Sequence, residues 1–256
     1  ASCTVTVTPY VEDEFDQMRE KWRQMTLGTP YNSEDEKIKV IIAKNDEEAR
    51  GYWDTLNKAS SRTFLWEKLK DSANNPEQIR SMYLNLFSMA KAYKMPGSLL
   101  YGNQELLGDI IDASDWLHIN RYHEGKQAYG NWWPWEIGVP VTLNDIVVLL
   151  YDELSPIQIK NYMDAIEYFQ PDPRYSGANA KGTTSPNFRE AKGANRVDVC
   201  KVVAVRGCIV KDGSKIALSR DALSQVFEYV TVEDGFYKDG SFIQHENIPY
   251  TGTYGN

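Results

Sequence analysis

The chain is poor in cysteine, has no long apolar run and carries no surplus of positive charge, and each shortage removes a class of protein. Three cysteines among 256 residues, Cys3, Cys200 and Cys208, are too few for a dense disulfide framework. They leave the compartment open. No stretch of about 18 apolar residues exists, so no membrane span is expected. Lys and Arg number 28 against 36 Asp and Glu, a formal charge of -8, which argues against a bulk field that attracts nucleic acid. Neither a membrane nor a nucleic acid is therefore an expected partner. A phosphate loop, a GxGxxG fingerprint, an HExxH pair and a CxxC pair are all missing, so nucleotide, zincin and structural zinc chemistry have no support. No cofactor and no metal are expected.

What remains is the profile of a water-soluble globular protein, with 42% hydrophobic and 25% charged residues. The unusual number is the aromatic content: 7 Trp, 16 Tyr and 8 Phe make up 12% of the chain. Sugars present flat C–H faces that stack on such rings, and aromatics also supply core area. Ala1 to Thr8 lacks the basic start and apolar core of a signal peptide and fits a mature end left after cleavage.

Apolar spacing along the chain is mostly helical. Phe15, Met18, Trp22 and Met25 recur at three and four residues as one buried stripe. Ser33 before Glu34-Asp35-Glu36 reads as an N-cap opening a helix to about Leu56. Phe64, Leu65 and Leu69 suggest a third helix after Ser61. Pro76 starts a fourth, ended by Met95-Pro96-Gly97, and Asn103 caps a fifth with Leu106, Leu107, Ile110, Ile111, Ser114 and Leu117 inside. Helices are also expected over Pro140 to Tyr151, Ser155 to Phe169, Asn195 to Val210 and Lys215 to Val230. Pro171 to Gly193, with three prolines and three glycines, is a long loop of the kind that commonly carries function. Asp234 to Asn256 has no clean period. Eight to ten helices joined mainly by short turns place the chain in the all-α class, with antiparallel neighbours.

Three segments hold the candidate chemistry, and two residue pairs do not. Asn131-Trp132-Trp133-Pro134-Trp135 sets three indoles in four residues before a helix. They form either core or an aromatic platform on a cleft wall, with Asn131 offering its amide to sugar hydroxyls. Gly193-Ala194-Asn195-Arg196 puts Asn195 at or near a helix N-cap, where the helix terminus favours anions. The stretch 234–256 combines His245 with Tyr237, Tyr250 and Tyr254 among glycine turns, and imidazole and phenol both transfer protons. His118 and His123 read as surface or packing residues. Cys200 and Cys208, about 12 Å apart along one helix, read as small core residues without a mutual disulfide.

The strings NWWPWEIGVP (131–140), GANRVDVC (193–200) and DGFYKDGSFIQHENIPYTGTYGN (234–256) resemble polysaccharide lyase family 8, the hyaluronate, chondroitin AC and xanthan lyases. SSRTFLW (60–66), LYGN (100–103) and LNDIVVLLYDEL (143–154) extend the similarity in collinear order across most of the chain. The resemblance implies an incomplete α/α toroid of antiparallel helical hairpins, a secreted bacterial enzyme and an acidic polysaccharide in a cleft across the helices. It implies that Asn195, His245 and Tyr254 are catalytic and that Trp132, Trp133 and Phe188 position the sugar. Arg196, the residue after Asn195, is by its own chemistry a candidate to assist it at the substrate carboxylate. Residues 1–256 would form part of one toroid catalytic domain. The remaining helices, an assisting Arg and C-terminal β-sandwich domains would belong to the same enzyme outside this chain.

Such an enzyme breaks the bond to O4 of a uronate by β-elimination. Hyaluronan or chondroitin is the leading substrate and xanthan the alternative. A binding module would use the same aromatics without turnover, and a glycoside hydrolase would need two carboxylates flanking the bond. Glu136 and Glu246 are present, with nothing in the sequence to pair them. Arg174, Lys181, Arg189, Lys192 and Arg196 cluster around the long loop as a local attraction for a polyanion, or as a solvated loop.

Overall fold

The computed structural model describes residues 12–177, 188–245 and 248–249. Among them eight α-helices dominate: α1 Glu14–Leu27, α2 Glu36–Asp54, α3 Pro76–Lys94, α4 Gln104–Asn120, α5 Val139–Leu149, α6 Pro156–Phe169, α7 Gly193–Val210 and α8 Gly213–Ser224. The all-α assignment holds. Local chemistry starts most of them. Asp13 and Ser155 close capping boxes with Asp16 and Gln158, and Asn75, Asn103 and Asp212 each accept from first-turn amides. In α2 the cap is Asp35 rather than Ser33, because the Asp35 carboxylate accepts from Lys37 N–H (2.8 Å) and Ile38 N–H (3.3 Å).

Helix α3 is the centre of the bundle and packs against α2, α4 and α5. Its Met82, Leu86 and Met89 meet Leu106, Ile110 and Leu117 of α4 and Ile146 and Val147 of α5 in one continuous core. Helix α7 packs against α8, α5, α1 and α6, and Val202, Val205 and Ile209 join it to that core. The helix expected after Ser61 is only a 3-10 turn at Glu67–Leu69. Asn57 N–H donates to Leu65 O (2.8 Å), the Asn57 amide donates to Phe64 O and Trp66 Nε1 donates to Tyr52 O (2.9 Å). Side chains thus satisfy an irregular backbone while Leu65 and Trp66 fill the core.

Cys200 is buried and Cys208 half-buried, both as free thiols, and burial pushes the Cys200 thiol up to about 11. The His118 ring meets His123 and Tyr162 edge to face, and burial lowers its pKa, as fits a packing residue. Two small sheets complete the described chain: β1 Tyr175–Ser176 with β2 Arg189–Glu190, and β3 Gly235–Phe236, β4 Phe242–Gln244 and β5 Ile248–Pro249 in that order. Both are antiparallel. Short strands of two or three residues are too brief to show a period of two, which is why the stretch after Asp234 looked patternless.

Candidate active site

The tryptophan segment is built by one side chain and one unusual turn. Asn131 Oδ1 accepts from Trp133 N–H (3.1 Å), and Trp132 O accepts from the amides of Trp135 (3.1 Å) and Glu136 (3.2 Å). Pro134–Gly138 then forms a π-helical turn that runs into α5. The three indoles divide between the two possible roles. Trp135 is 1% exposed, donates its Nε1–H to Tyr129 O (2.9 Å) and lies against Tyr122 and Phe169. Trp132 and Trp133 are half-buried on Ile137, Val141, Ala191 and Val199. Arg189 lies 5.0 Å from the Trp132 ring centroid and Arg80 5.2 Å from that of Trp133, which puts cationic groups beside a stacking surface. Gly138 seats Trp133, since a Cβ there would fall 2.6 Å from the indole and 2.7 Å from Arg80 Cδ.

The β1–β2 ribbon carries Phe188 to the same region. Phe188 is 47% exposed and stacks on Tyr175 at 5.0 Å and 26°. From there Ala191, which packs with the tryptophans, leads through Lys192 into α7. Asn195 is not the N-cap. It is the third residue of α7, half-buried in the first turn, while Lys192 occupies the cap position and makes no side-chain cap bond.

The cap comes from 50 residues away. Gln244, at the end of β4, accepts from Ala194 N–H through Oε1 (2.9 Å) and donates from Nε2 to Asp234 Oδ2 (2.6 Å). His245 follows directly, exposed and in the left-handed region at φ 55. Asn195 and His245 are therefore each one residue from the two ends of a single 2.9 Å hydrogen bond. Tyr254 and Glu246 lie outside the described residues, as does Lys181.

Arg196 departs from its expected role at a substrate carboxylate. It is 3% exposed, and Nε donates to Ala191 O (2.7 Å), Nη1 to Ala222 O (3.3 Å) and Nη2 to Glu190 (2.8 Å). Its guanidinium ties the loop before α7 to α8, because a buried cation needs every donor engaged. The other described cations of the long loop are also engaged: Arg174 pairs with Asp172, Lys192 with Glu233 and Arg189 with Trp132. The hydrogen bond to Glu233 raises the Lys192 pKa. A cleft of about 170 Å³ beside α7 is lined by Glu190, Glu228, Glu233 and Asp234 as well as Lys192 and Arg196. Carboxylates outnumber cations there.

Glu136 is buried and its Oε2 accepts from Gly177 N–H (2.9 Å). No group of three or more His, Cys, Asp or Glu side chains able to hold a metal occurs among the described residues. Sequence reasoning missed Gln244, Asp234 and Gly193 as a unit. One signal was available: α7 opens with Lys-Gly-Ala, which has no capping side chain, so its first amides need a distant acceptor.

The family described as "Polysaccharide lyase family 8, N terminal alpha-helical domain" matches residues 22–256. A xanthan lyase of Bacillus sp. (strain GL1) is 41% identical over 252 residues, covering 96% of this chain and 25% of the relative. A hyaluronate lyase of Thermasporomyces composti is 39% identical over 248 residues, covering 97% and 30%. The Streptomyces coelicolor A3 chondroitin AC lyase, solved in complex with chondroitin sulphate, superposes with a TM-score of 0.84 at 38% identity, covering 95% of this chain and 31% of that one. The chain spans about a quarter to a third of the length of these relatives.

Proposed function

The chain belongs to polysaccharide lyase family 8, and from that membership we propose that it carries the catalytic groups of an enzyme that cleaves the bond to O4 of a glucuronate by β-elimination. The observation that supports this reading is the hydrogen bond from Ala194 to Gln244, the neighbours of Asn195 and His245, in a segment whose Ala191 and Val199 pack with the half-buried Trp132 and Trp133. The proposal includes the rest of the enzyme, namely further toroid helices, an assisting Arg and C-terminal β domains, with which these residues would form the full cleft.

Elimination makes three demands. The C5 proton lies alpha to a carboxylate whose charge opposes further negative charge, so the carboxylate must be neutralised first. The Asn195 amide, in the first turn of α7, donates to it and stabilises the enolate-like state, with the helix terminus adding to the effect. A base must then take the C5 proton, and an acid must protonate the departing O4. In a glucuronate both lie on one side of the ring, so a single group can serve both. Tyr254 is the preferred group; a phenol has a reference pKa of ~10, so this role requires a depressed pKa or transfer of its proton to His245. The alternative has neutral His245 as base and Tyr254 as acid. Trp132, Trp133, Phe188 and Asn131 hold the sugar chain.

Hyaluronan or chondroitin is the favoured substrate, supported by the relatives named for hyaluronate and chondroitin AC. Xanthan is the second reading, favoured by the 41% identity to a xanthan lyase. No helix among the described residues is long and apolar enough to cross a membrane. Secretion is part of the proposal, since polymers of this size are cut outside the cell.

Incubated at its full native length with hyaluronan, chondroitin and xanthan in parallel, the protein should generate the absorbance of a conjugated double bond with at least one of them. New reducing ends without that absorbance would mean hydrolysis and overturn the reading. Binding without either product would make it a binding module.

The tryptophans should separate by role. Trp132→Ala and Trp133→Ala are expected to raise KM at nearly unchanged kcat with a small change in Tm, because an indole exchanges no proton and acts through alignment. Trp135→Ala should cost ~3–5 kcal/mol of stability, as deletion of a large core aromatic does. Thermal unfolding beside steady-state kinetics checks both. A large Tm loss with unchanged KM at Trp132 or Trp133 would return that residue to the core.

A further inference from the structure

We propose that Gln244 is a positioning residue that locks the His245-bearing hairpin onto the first turn of α7 and thereby sets His245 against Asn195. The proposal rests on the reading of Asn195 and His245 as catalytic groups.

An amide is the side chain suited to this place. It must accept from a helix N–H at one end and donate to a carboxylate at the other, and Gln244 does so at 2.9 Å to Ala194 and 2.6 Å to Asp234. Reversing the amide would set its NH2 against the Ala194 N–H and its oxygen against the Asp234 carboxylate, so both contacts choose one orientation. The residue is 1% exposed, which makes a lost bond expensive since water does not readily replace it. Gly193 has the complementary shape. Its φ is +53, and a Cβ there would fall 2.4 Å from Gln244 Oε1 and 3.2 Å from Asp234 Cβ, so the close approach needs a glycine.

Asp234, Gln244 and Ala194 join the two segments that carry Asn195 and His245. Asp234 immediately precedes β3, Gln244 ends β4, and Ala194 lies between Gly193 and Asn195. The β3–β4 pairing, Gly235 opposite Ile243 and Phe236 opposite Phe242, keeps the Asp234 and Gln244 ends of the hairpin together. His245 is the next residue, in a left-handed conformation, so a displacement of the Gln244 backbone moves the backbone that carries the imidazole.

The experiment exploits the donor and acceptor order. Gln244→Glu keeps the acceptor for Ala194 but sets a second carboxylate against Asp234, and should lower kcat on the order of 10–100-fold, the scale of an ångström misplacement. KM should stay within about twofold, since the aromatic platform is untouched. Asp234→Asn keeps an acceptor for the Gln244 amide and should be much milder. The double variant Gln244→Glu/Asp234→Asn restores one donor, one acceptor and the original charge, and should recover the activity of Asp234→Asn. Such rescue is strong coupling between the two positions. Hydrogen exchange is read on the same proteins: amides at 193–196 and 242–245 should exchange faster together in Gln244→Glu and return in the double variant.

A double variant that stays as impaired as Gln244→Glu, or exchange in the two segments that fails to change in concert, would overturn the clamp. A wild-type protein that makes no unsaturated product while its exchange follows this pattern would overturn the lyase reading and leave the docking role standing.

Discussion

Asn195→Ala is expected to lower kcat by a factor on the order of 10²–10³, the loss seen when one preorganised oxyanion donor is removed. The cause is charge: without the amide, the uronate carboxylate keeps its full repulsion against the developing carbanion. The fold should tolerate the change. Asn195 sits inside the first turn of α7 rather than at its cap position, and alanine is the better helix former. The Tm should therefore stay close to that of the wild type, and α7 should keep the cap supplied by Gln244. Initial rates of unsaturated product beside a melting curve check the prediction. Activity within a few-fold of wild type would reduce Asn195 to an ordinary first-turn residue.

Tyr254→Phe should abolish turnover while leaving polysaccharide binding in place, because it removes one hydroxyl and retains the ring. For His245 the substitution must respect the backbone. At φ 55 alanine is strained, whereas asparagine tolerates the left-handed region, so His245→Asn isolates loss of the imidazole from loss of the turn. It should be nearly as damaging as Tyr254→Phe. If the two groups act as one proton-transfer unit, the double variant should be little worse than either single one. Rates multiplied by both losses would show independent action, and turnover retained in Tyr254→Phe would move the proton chemistry elsewhere.

These predictions draw on residues that were legible in different degrees. The strings containing Asn195, His245 and Trp132-Trp133 stand out in the linear chain because each concentrates unusual residue types in a few positions. Their mutual placement does not. Asn195 and His245 are 50 residues apart, and it is their neighbours Ala194 and Gln244 that meet in one hydrogen bond. Arg196 looked like an anion ligand from its neighbours in sequence, yet its position on α7 turns it inward, toward Ala191 O and Ala222 O.

The all-α class, most helix boundaries and the family resemblance were legible in the linear chain, because apolar spacing and cap chemistry act over three or four residues. Asn103 and Ser155 announce helices that they then cap, and Pro76 announces the one it opens. Which indole becomes core is settled by long-range packing. Trp132, Trp133 and Trp135 have the same local chemistry, and the split depends on Tyr122 and Phe169 arriving from α4's end and α6 to enclose Trp135. The tertiary structure also decided that Leu65 and Trp66 enter the core without a helix and that α7 takes its cap from a distant hairpin. In each case a backbone or aromatic group is satisfied by a partner far along the chain, and no short-range periodicity encodes that meeting.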